Sequence, residues 1–285
     1  MSSAGISERN YEGTVLVLGA TGKTGRRIVE RLEAKGIPTR RGSRSAVPSF
    51  DWNNEANWDE VLAGVEAVYI NYAPDLAMPG ATDSIQALVD RAKQRGVKHV
   101  VLLSGRGEEE AQACERIIQT SGIDWTIVRA SWFNQNFSEG AFVEMVQAGQ
   151  ITLPAVDTPE PFVDVDDIAD IAAAALTEPG HAGELYEVTG PRLLTLAEVA
   201  AEISRASGRE VQFGPVPHDA FVAEVAASGA PQDVVWMLDY LFATVLDGRN
   251  AYLTDGVQRA LGRPPKDFAD YAREITATGA WRAVA

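Results

Sequence analysis

The sequence predicts an α/β fold, a doubly wound parallel sheet with a smaller, mainly helical C-terminal lobe. Three observations carry that prediction. The apolar run 15–18 (VLVL) leads straight into glycines at 19, 22 and 25, then into an amphipathic helix with Ile28, Val29 and Leu32 on one face. Apolar, strand-like segments then alternate with helix-period segments, as a sheet wound on both faces requires. Beyond Leu194 the pattern is mostly helical.

The elements follow in order. The second strand is expected within 37–44 (IPTRRGSR), and a short third strand just before Asp51 and Trp52. Residues 65–71 (VEAVYIN) read as an apolar strand, 81–95 as a helix ending at Gly96, and 98–103 (KHVVLL) as a strand running into Ser104 and Gly105. A helix over 108–120 is stopped by Ser121 and Gly122, and 124–129 (DWTIVR) forms another strand. Pro154, Pro159 and Pro161 make 152–162 a loop between layers; 166–176 returns to an alanine-rich helix and 184–189 to a strand. The expected organisation is a flexible tail at 1–12, a nucleotide-binding domain at 13–153 rejoined by 163–190, and a substrate lobe made of 154–162 and 191–285. A long helix displaying Val234, Val235, Met237, Leu238, Leu241, Phe242 and Val245 is expected to serve as core or as a homodimer contact.

Strand, glycine turn and helix are the context of a Rossmann-type dinucleotide site. Gly19 permits the tight turn, Gly22 lets the backbone approach a pyrophosphate, and Gly25 lets helix and strand pack closely. The helix N-terminus then turns free N–H groups and a partial positive charge toward the phosphates. In an NAD site an acidic residue about 20 positions on takes the ribose hydroxyls. None occurs between Glu33 and Asp51, where Arg40, Arg41 and Arg44 stand instead. A guanidinium fork suits a phosphate monoester, and a charge-assisted hydrogen bond contributes roughly 1.5–3 kcal/mol. That amounts to about a ten- to hundredfold preference for NADP(H) over NAD(H). Arg44, beside Ser43, is the candidate for the 2′-phosphate; Arg40 and Arg41 read equally well as solvated strand-end charges. Ligands of such sheets lie outside the carboxyl ends of the strands. This rule gathers Asn71, Tyr72, Ala73, Ser104 and Gly105 around the cofactor, puts Asp51 and Trp52 near the adenine, and brings 130–134 (ASWFN) to the same cleft.

A chain of 285 residues, 46% hydrophobic, buries a full core. No apolar run approaches the roughly 18 residues of a membrane span, and no basic-then-apolar leader opens the sequence. Cys114 is the single cysteine, which excludes an intrachain disulfide and a zinc cluster, and cytoplasmic residence is expected. A net charge of −15 argues against nucleic acid and anionic membrane surfaces as partners. Asp164, Asp166 and Asp167 mimic a metal cluster, but alternate faces of one short segment cannot all meet an ion. Asp166 or Asp167 is therefore expected as a helix N-cap, and no metal is expected.

The segments GATGKTG, RRGSR, DW, LLSG, ERIIQTSGIDWTIVR, WFNQNF, PFVDVDDIADIAAAAL and YEVTGP, in that order, resemble the NmrA-like group of atypical short-chain dehydrogenases/reductases over residues 14–271. Within the group the chain is most similar to bacterial NAD(P)H quinone-reductase-like members. The resemblance implies that Gly19, Thr21, Gly22, Lys23, Thr24 and Gly25 bind the pyrophosphate and nearby ribose, and that Arg44 meets the 2′-phosphate. It further implies that Tyr72, Ala73 and Ser104 line the path to the nicotinamide, with Phe133, Asn136 and Phe162 near the substrate. Trp132 and Phe162 are candidates to stack a planar substrate, or else to fill core. Two positions depart from the group: Ala130 stands where Pro is usual, and the His often found before Glu115 is missing.

Typical short-chain dehydrogenases reduce ketones with a Tyr-x-x-x-Lys pair. Here no Lys occurs between His99 and Pro265, no Tyr between Pro74 and Leu185, and no Tyr precedes a Lys by four anywhere. A ketone's hydride adduct is an alkoxide, with a conjugate acid near the ~15.7 of water; a hydroquinone anion is closer to a phenol at ~10. The difference, roughly 8 kcal/mol, is basicity that a general acid need not relieve. The chain therefore reads as an NADPH-dependent reductase of a small planar quinone or conjugated carbonyl, by direct hydride transfer. The other reading is a non-catalytic NADP(H)-binding redox sensor acting through a protein partner. Ser104 is the candidate hydrogen-bond donor, or else a helix cap. Glu108, Glu109 and Glu110 are expected at a helix N-terminus, Glu115 paired with Arg129, Cys114 in the core, and His181 and His218 in surface turns.

Overall fold

A computed structural model of the chain describes residues 13–140, 142–154 and 157–282; the tail expected at 1–12 lies outside the described residues. The first half runs β1 (Thr14–Leu18), α1 (Lys23–Ala34), β2 (Thr39–Gly42), α2 (Trp58–Val61), β3 (Val65–Ile70), α3 (Ala81–Gln94), β4 (His99–Gly105), α4 (Glu109–Thr120) and β5 (Asp124–Ala130). There follow α5 (Val143–Ala148), β6 (Gln150–Leu153), α6 (Val165–Thr177), β7 (Glu184–Val188), α7 (Leu196–Ser207) and β8 (Gln212–Pro215). The chain closes with α8 (His218–Ala227), α9 (Gln232–Tyr240), α10 (Gly256–Leu261) and α11 (Phe268–Thr278).

Strands in the order β2-β1-β3-β4-β5-β7 make a six-stranded sheet. β1 pairs in parallel with both β2 and β3, and β3 with β4, so the strand order reverses beside β1. A crevice opens at such a switch point, outside the carboxyl ends. The sheet is apolar on both faces. Leu16, Leu18, Val68, Ile70, Val100 and Leu102 pack against Ile85, Leu88 and Val89 of α3 and Ala111, Cys114 and Ile118 of α4. Their neighbours in sequence, Val15, Val17, Ala67, Tyr69 and Val101, point the other way and are equally buried. Each fully buried Leu or Val contributes about 1.5–3 kcal/mol relative to exposure, which outweighs any strand propensity.

The chain forms two compact units. Unit 1 comprises Met1–Arg129, Ile168–Glu187 and Gly256–Arg263; unit 2 comprises Ala130–Asp167, Val188–Asp255 and Pro264–Ala285. The expected division at 153 and 163–190 is thereby corrected. Residues 150–153, assigned to the nucleotide-binding domain, form β6, which pairs with β8 of unit 2, Ile151 lying opposite Phe213. A four-residue strand ended by Pro154 is too short to show a period. The return of α10 to unit 1 was not expected either. Arg259 on it holds Glu184 at 2.5 Å, and Gly256 lies so close to the Glu187 backbone that a Cβ would overlap its carbonyl oxygen.

The short strand expected before Asp51 is absent. Residues 43–54 are instead a chain of turns, with Phe50 N–H donating to Ser43 O at 2.9 Å and Asp51 bridged to Asn54. Fully buried Trp58 donates its indole N–H to Asp51 O at 3.0 Å, closing the segment onto the core. In unit 2 the core is aromatic, with Phe137, Phe162, Phe268, Tyr271 and Trp281 all buried. Phe242 and Val245 join the buried residues, while Val234, Val235 and Met237 of the expected apolar helix remain half-buried on α9.

The expected N-cap of α6 at Asp166 or Asp167 is also corrected, since Asp164 does the capping. Its Oδ1 accepts from Asp166 N–H at 2.7 Å and from Gln135 Nε2 at 3.1 Å, while Lys266 Nζ stands 3.8 Å from Oδ2. Burial pushes this carboxyl up to about 6 despite the Lys266 charge. The folded state thus binds the proton more tightly than the unfolded chain does. Relative to Asp164→Asn, wild-type stability should fall as pH rises from about 4 to about 6, by on the order of 3 kcal/mol, and then level off. Urea denaturation of both proteins across that range measures the difference.

Candidate functional site

The site begins where β1 ends. Gly19 takes φ +67°, in the left-handed region, and its carbonyl accepts from Gly22 N–H at 2.8 Å. Gly22 is the N-cap of α1, and neither a side-chain cap nor an acidic residue serves that first turn. The N-terminal N–H groups and the positive end of the helix dipole are therefore offered to an anion rather than used internally. A Cβ at Gly25 would overlap the Gly19 carbonyl oxygen, and one at Gly22 would sit 3.2 Å from that atom. This cradle fits a pyrophosphate, and it fits only without side chains at those positions. Thr21 is exposed and Lys23 half-buried beside it. Thr24 is only 1% exposed, and its hydroxyl accepts from Tyr69 Oη at 2.9 Å. That leaves Thr24 its backbone rather than its side chain for a phosphate. Burial holds the Tyr69 phenol above its ordinary range, so it remains a donor.

At the end of β3, the Asn71 side chain lies over Gly19, its Nδ2 2.9 Å from where a Cβ would be. Asn71 O accepts from the Trp52 indole at 3.2 Å, and Trp52 packs on Tyr72 with centroids 4.8 Å apart. Trp52, Asn71 and Tyr72 are thus brought together as expected, and Ala73 follows them, exposed. Asp51 accepts from Asn53 N–H at 2.9 Å and shapes the turn before Trp52. The three arginines separate cleanly. Arg40 donates to Val61 O at 2.6 Å and Ala63 O at 2.8 Å; Arg41 pairs with Glu33 at 2.8 Å. Arg44 is exposed and has no hydrogen bond or ion pair among the described residues, which leaves its fork available to a 2′-phosphate.

Beyond β4 lies a denser polar centre. Ser104 Oγ donates to Glu115 Oε1 at 2.6 Å, and Arg129 grips both oxygens of Glu115, its Nε 2.8 Å from Oε1. Arg129 Nη1 also reaches Glu187 at 3.5 Å, and buried Arg106 holds Glu187 at 2.8 Å. The Glu115–Arg129 pair was legible in the sequence; Arg106 and Glu187 were not. Ser104 caps no helix. The N-cap of α4 is Glu108, and it makes no side-chain cap. Its carboxyl instead lies against Gly105, where a Cβ would overlap it, with the Asp75 carboxyl near enough to act on its charge. Burial first, then the Asp75 and Glu115 charges, push Glu108 well above the usual carboxylate range, and burial raises Asp75 as well. The only trace of this pair in the sequence is that each acid follows a strand end by a few residues.

The substrate candidates belong to unit 2. Trp132 is half-buried, its ring 5.1 Å from that of Phe242, and Phe133 bridges to Val163. Asn136 is half-buried in the 3-10 turn Asn134–Phe137. Phe162 does not offer a face. It is 3% exposed and packed between Phe137 and Phe268 at 5.8 and 6.3 Å, because the apolar strip of unit 2 closes over it. Cys114 is fully buried, with burial pushing its thiol up to about 12. His181, expected in a surface turn, is buried and contacts Tyr186 Oη at 2.8 Å. Among the described residues no group of three or more His, Cys, Asp or Glu could hold a metal ion, and no helix is long and apolar enough to cross a membrane.

A model of the NmrA-like family matches residues 11–257. An NAD(P)H azoreductase from Xenophilus azovorans is 29% identical over 283 residues, covering 91% of this chain and 96% of its own. Agroclavine dehydrogenase from Claviceps fusiformis is 31% identical over 279 residues, covering 92% of this chain and 96% of its own. Among solved structures, the NADPH-dependent quinone oxidoreductase QOR2 of Escherichia coli, complexed with NADPH, shares the fold with a TM-score of 0.76 at 22% identity. That match covers 92% of this chain and 99% of the other.

Two substitutions test the cradle. Gly22→Ala should leave the protein folded, since its Cβ has 3.2 Å to the nearest atom, yet weaken NADPH binding at least about tenfold by blocking phosphate approach. Arg44→Ala should weaken NADPH binding by about ten- to a hundredfold while leaving NADH nearly untouched. Calorimetric titration of both nucleotides reads each result.

Proposed function

The chain belongs to the NmrA-like family, and on that footing we propose that it reduces a small planar quinone or conjugated carbonyl with NADPH, by direct hydride transfer and without a Tyr/Lys pair. It is an NAD(P)H-dependent oxidoreductase. The observation that carries the finer reading is the setting of Ser104. On the helix that follows it, α4, there is neither Tyr nor Lys, and the Ser104 hydroxyl is turned to Glu115. A ketone would leave an alkoxide with no adjacent phenol and ammonium to neutralise it. A quinone or extended enone spreads the incoming charge over its own conjugated framework, and its adduct needs far less help.

NADPH, when bound, supplies the hydride. The chain's own work is to hold and aim it. The uncapped turn of α1 takes the pyrophosphate and Arg44 the extra phosphate. The Trp52–Tyr72 wall and Asn71 flank the path from β1 toward the ends of β3 and β4. Ser104 is held in one orientation by the Glu115–Arg129 pair, which keeps the strand end rigid. The acceptors named for the azoreductase and the quinone oxidoreductase support the reading in one respect: an azo compound and a quinone are both conjugated.

Stopped-flow mixing of NADPH-loaded protein with menadione and with larger polycyclic quinones, followed at the nicotinamide absorbance, tests it. Oxidation at least about tenfold faster than the uncatalysed background is expected. Background rates with every quinone and conjugated carbonyl tried, despite tight NADPH binding, would assign the chain to the sensor class instead.

A further inference from the structure

Unit 2 carries two helices that its core does not claim. α7 buries Leu196, Val199, Ala200 and Ile203, as a helix of a packed lobe should. α8 buries Phe221 but no other apolar side chain, and α9 buries no residue at all. Yet α9 displays Val234, Val235, Trp236, Met237 and Leu238 in succession. The two helices pack on each other across the turn at Gly229, and neither packs extensively on any other element, except where α9 runs on into residues 241–245. A hairpin with so few buried apolar contacts belongs to the part of a fold that opens most readily.

Specific contacts hold the hairpin where it lies. His218 Nε2 and Asp239 Oδ1 stand 2.6 Å apart, joining the start of α8 to the last turn of α9. The Phe221 ring packs edge-on against Phe242, centroids 5.1 Å apart. Phe242 belongs to a turn of π-helix, Leu241–Val245, in which Leu246 N–H reaches back to Leu241 O at 2.9 Å. Such turns are uncommon and recur at functional sites. Phe242 in turn meets the half-buried Trp132, again edge-on, with centroids 5.1 Å apart. Three rings therefore run in series from α8 to Trp132, and the middle one sits on the segment that ends the hairpin.

We propose that α8 and α9 form a hinged cover over the Trp132–Phe242 pair, turning at Pro217 and at the π-helical turn and latched by His218 and Asp239, and that its occupant is the planar acceptor of the reduction. This rests on the reductase reading above and adds how the substrate is admitted and held. With the latch released, Phe221 lifts from Phe242 and the face of Trp132 opens to a flat conjugated ring. With the latch made again, the half-buried apolar side chains of the hairpin lie over that ring and keep water from it. A His–Asp contact as exposed as this one holds weakly, which suits a latch that must release in every turnover. The surface fits a small ring system rather than a second copy of the chain. A stable pair of copies needs roughly 800 Å² from each partner. Trp236, 38% exposed, is the only large apolar side chain of the hairpin that is fully open among the described residues, and it already lies flat on Tyr240 with ring planes 3° apart.

The test has two arms. Hydrogen–deuterium exchange is measured on the wild type with NADP+ bound, a complex that cannot turn over. Residues 218–240 should exchange at least about tenfold faster than α7, and menadione should slow them about fivefold or more. Exchange as slow as that of α7, or unchanged by menadione, overturns the proposal. Slowing that follows protein concentration without menadione also overturns it and assigns the face to a second copy. The other arm locks the cover. Cys114 is the single cysteine and is buried, so the double variant His218→Cys with Asp239→Cys offers the only accessible thiols, which a short bismaleimide bridges. The bridged protein should bind NADPH as the unbridged one does, yet oxidise it with menadione at least about thirtyfold more slowly. Equal rates before and after bridging overturn this inference and leave the reductase reading intact. Should the double variant fail to fold, the exchange arm decides alone. Wild-type protein that binds NADPH but oxidises it with no quinone or conjugated carbonyl removes the reductase reading, and the inference with it.

Discussion

The fold depends on one close approach, that of α1 to the end of β1. Helix and strand touch through Gly25 and the Gly19 carbonyl, where no Cβ can be accommodated. Opposite them, the Tyr69 phenol holds the Thr24 hydroxyl and so locks the first turn of the helix to β3. Everything an anion would use follows from that contact: the exposed N–H groups, their distance from the sheet, and the position of Asn71 above Gly19. A single methyl at the interface would move the helix, and the helix is the scaffold on which the cradle stands.

A second constraint orders the far side of the site. Ser104, Glu115, Arg129, Glu187 and Arg106 tie the ends of β4, β5 and β7 together through one series of charged contacts. Such contacts in a largely buried setting do more for geometry than for stability, because desolvation offsets much of their attraction. They hold the carboxyl ends of three strands in register where a loop alone would not.

Most of unit 1 could be read from the residues because its signals are local. Continuous apolar runs, glycines at spaced positions and helix stops at Gly96 and Gly122 fall within a residue or two of the observed β3, α3, β4, α4 and β5. The Glu115–Arg129 pair was legible because each sits on a regular element facing the same sheet end. What escaped was set by distant partners. β6 exists only because β8 lies beside it, 62 residues later in the aligned pair Gln150 and Gln212. Asp164 rather than Asp166 caps α6 because Gln135 and Lys266 stabilise it from elsewhere in the chain. His181 is buried by Tyr186, and Phe162 by rings on two other segments. Asp75 and Glu108 meet across a gap of sequence with no periodic pattern to announce it.

The connectivity of the units has a practical result. The chain leaves unit 1 at Arg129, returns for Ile168–Glu187, leaves again and comes back for Gly256–Arg263. A gene shortened after Arg129 would therefore lack β7, and β5 would become a bare strand edge, open to pairing with other chains. Cutting this protein into halves should yield aggregates rather than modules, whereas an exchange of residues 130–167 or 188–255 with a relative would leave every strand of the six-stranded sheet with its native neighbours except at the last residue of β5 and of β7.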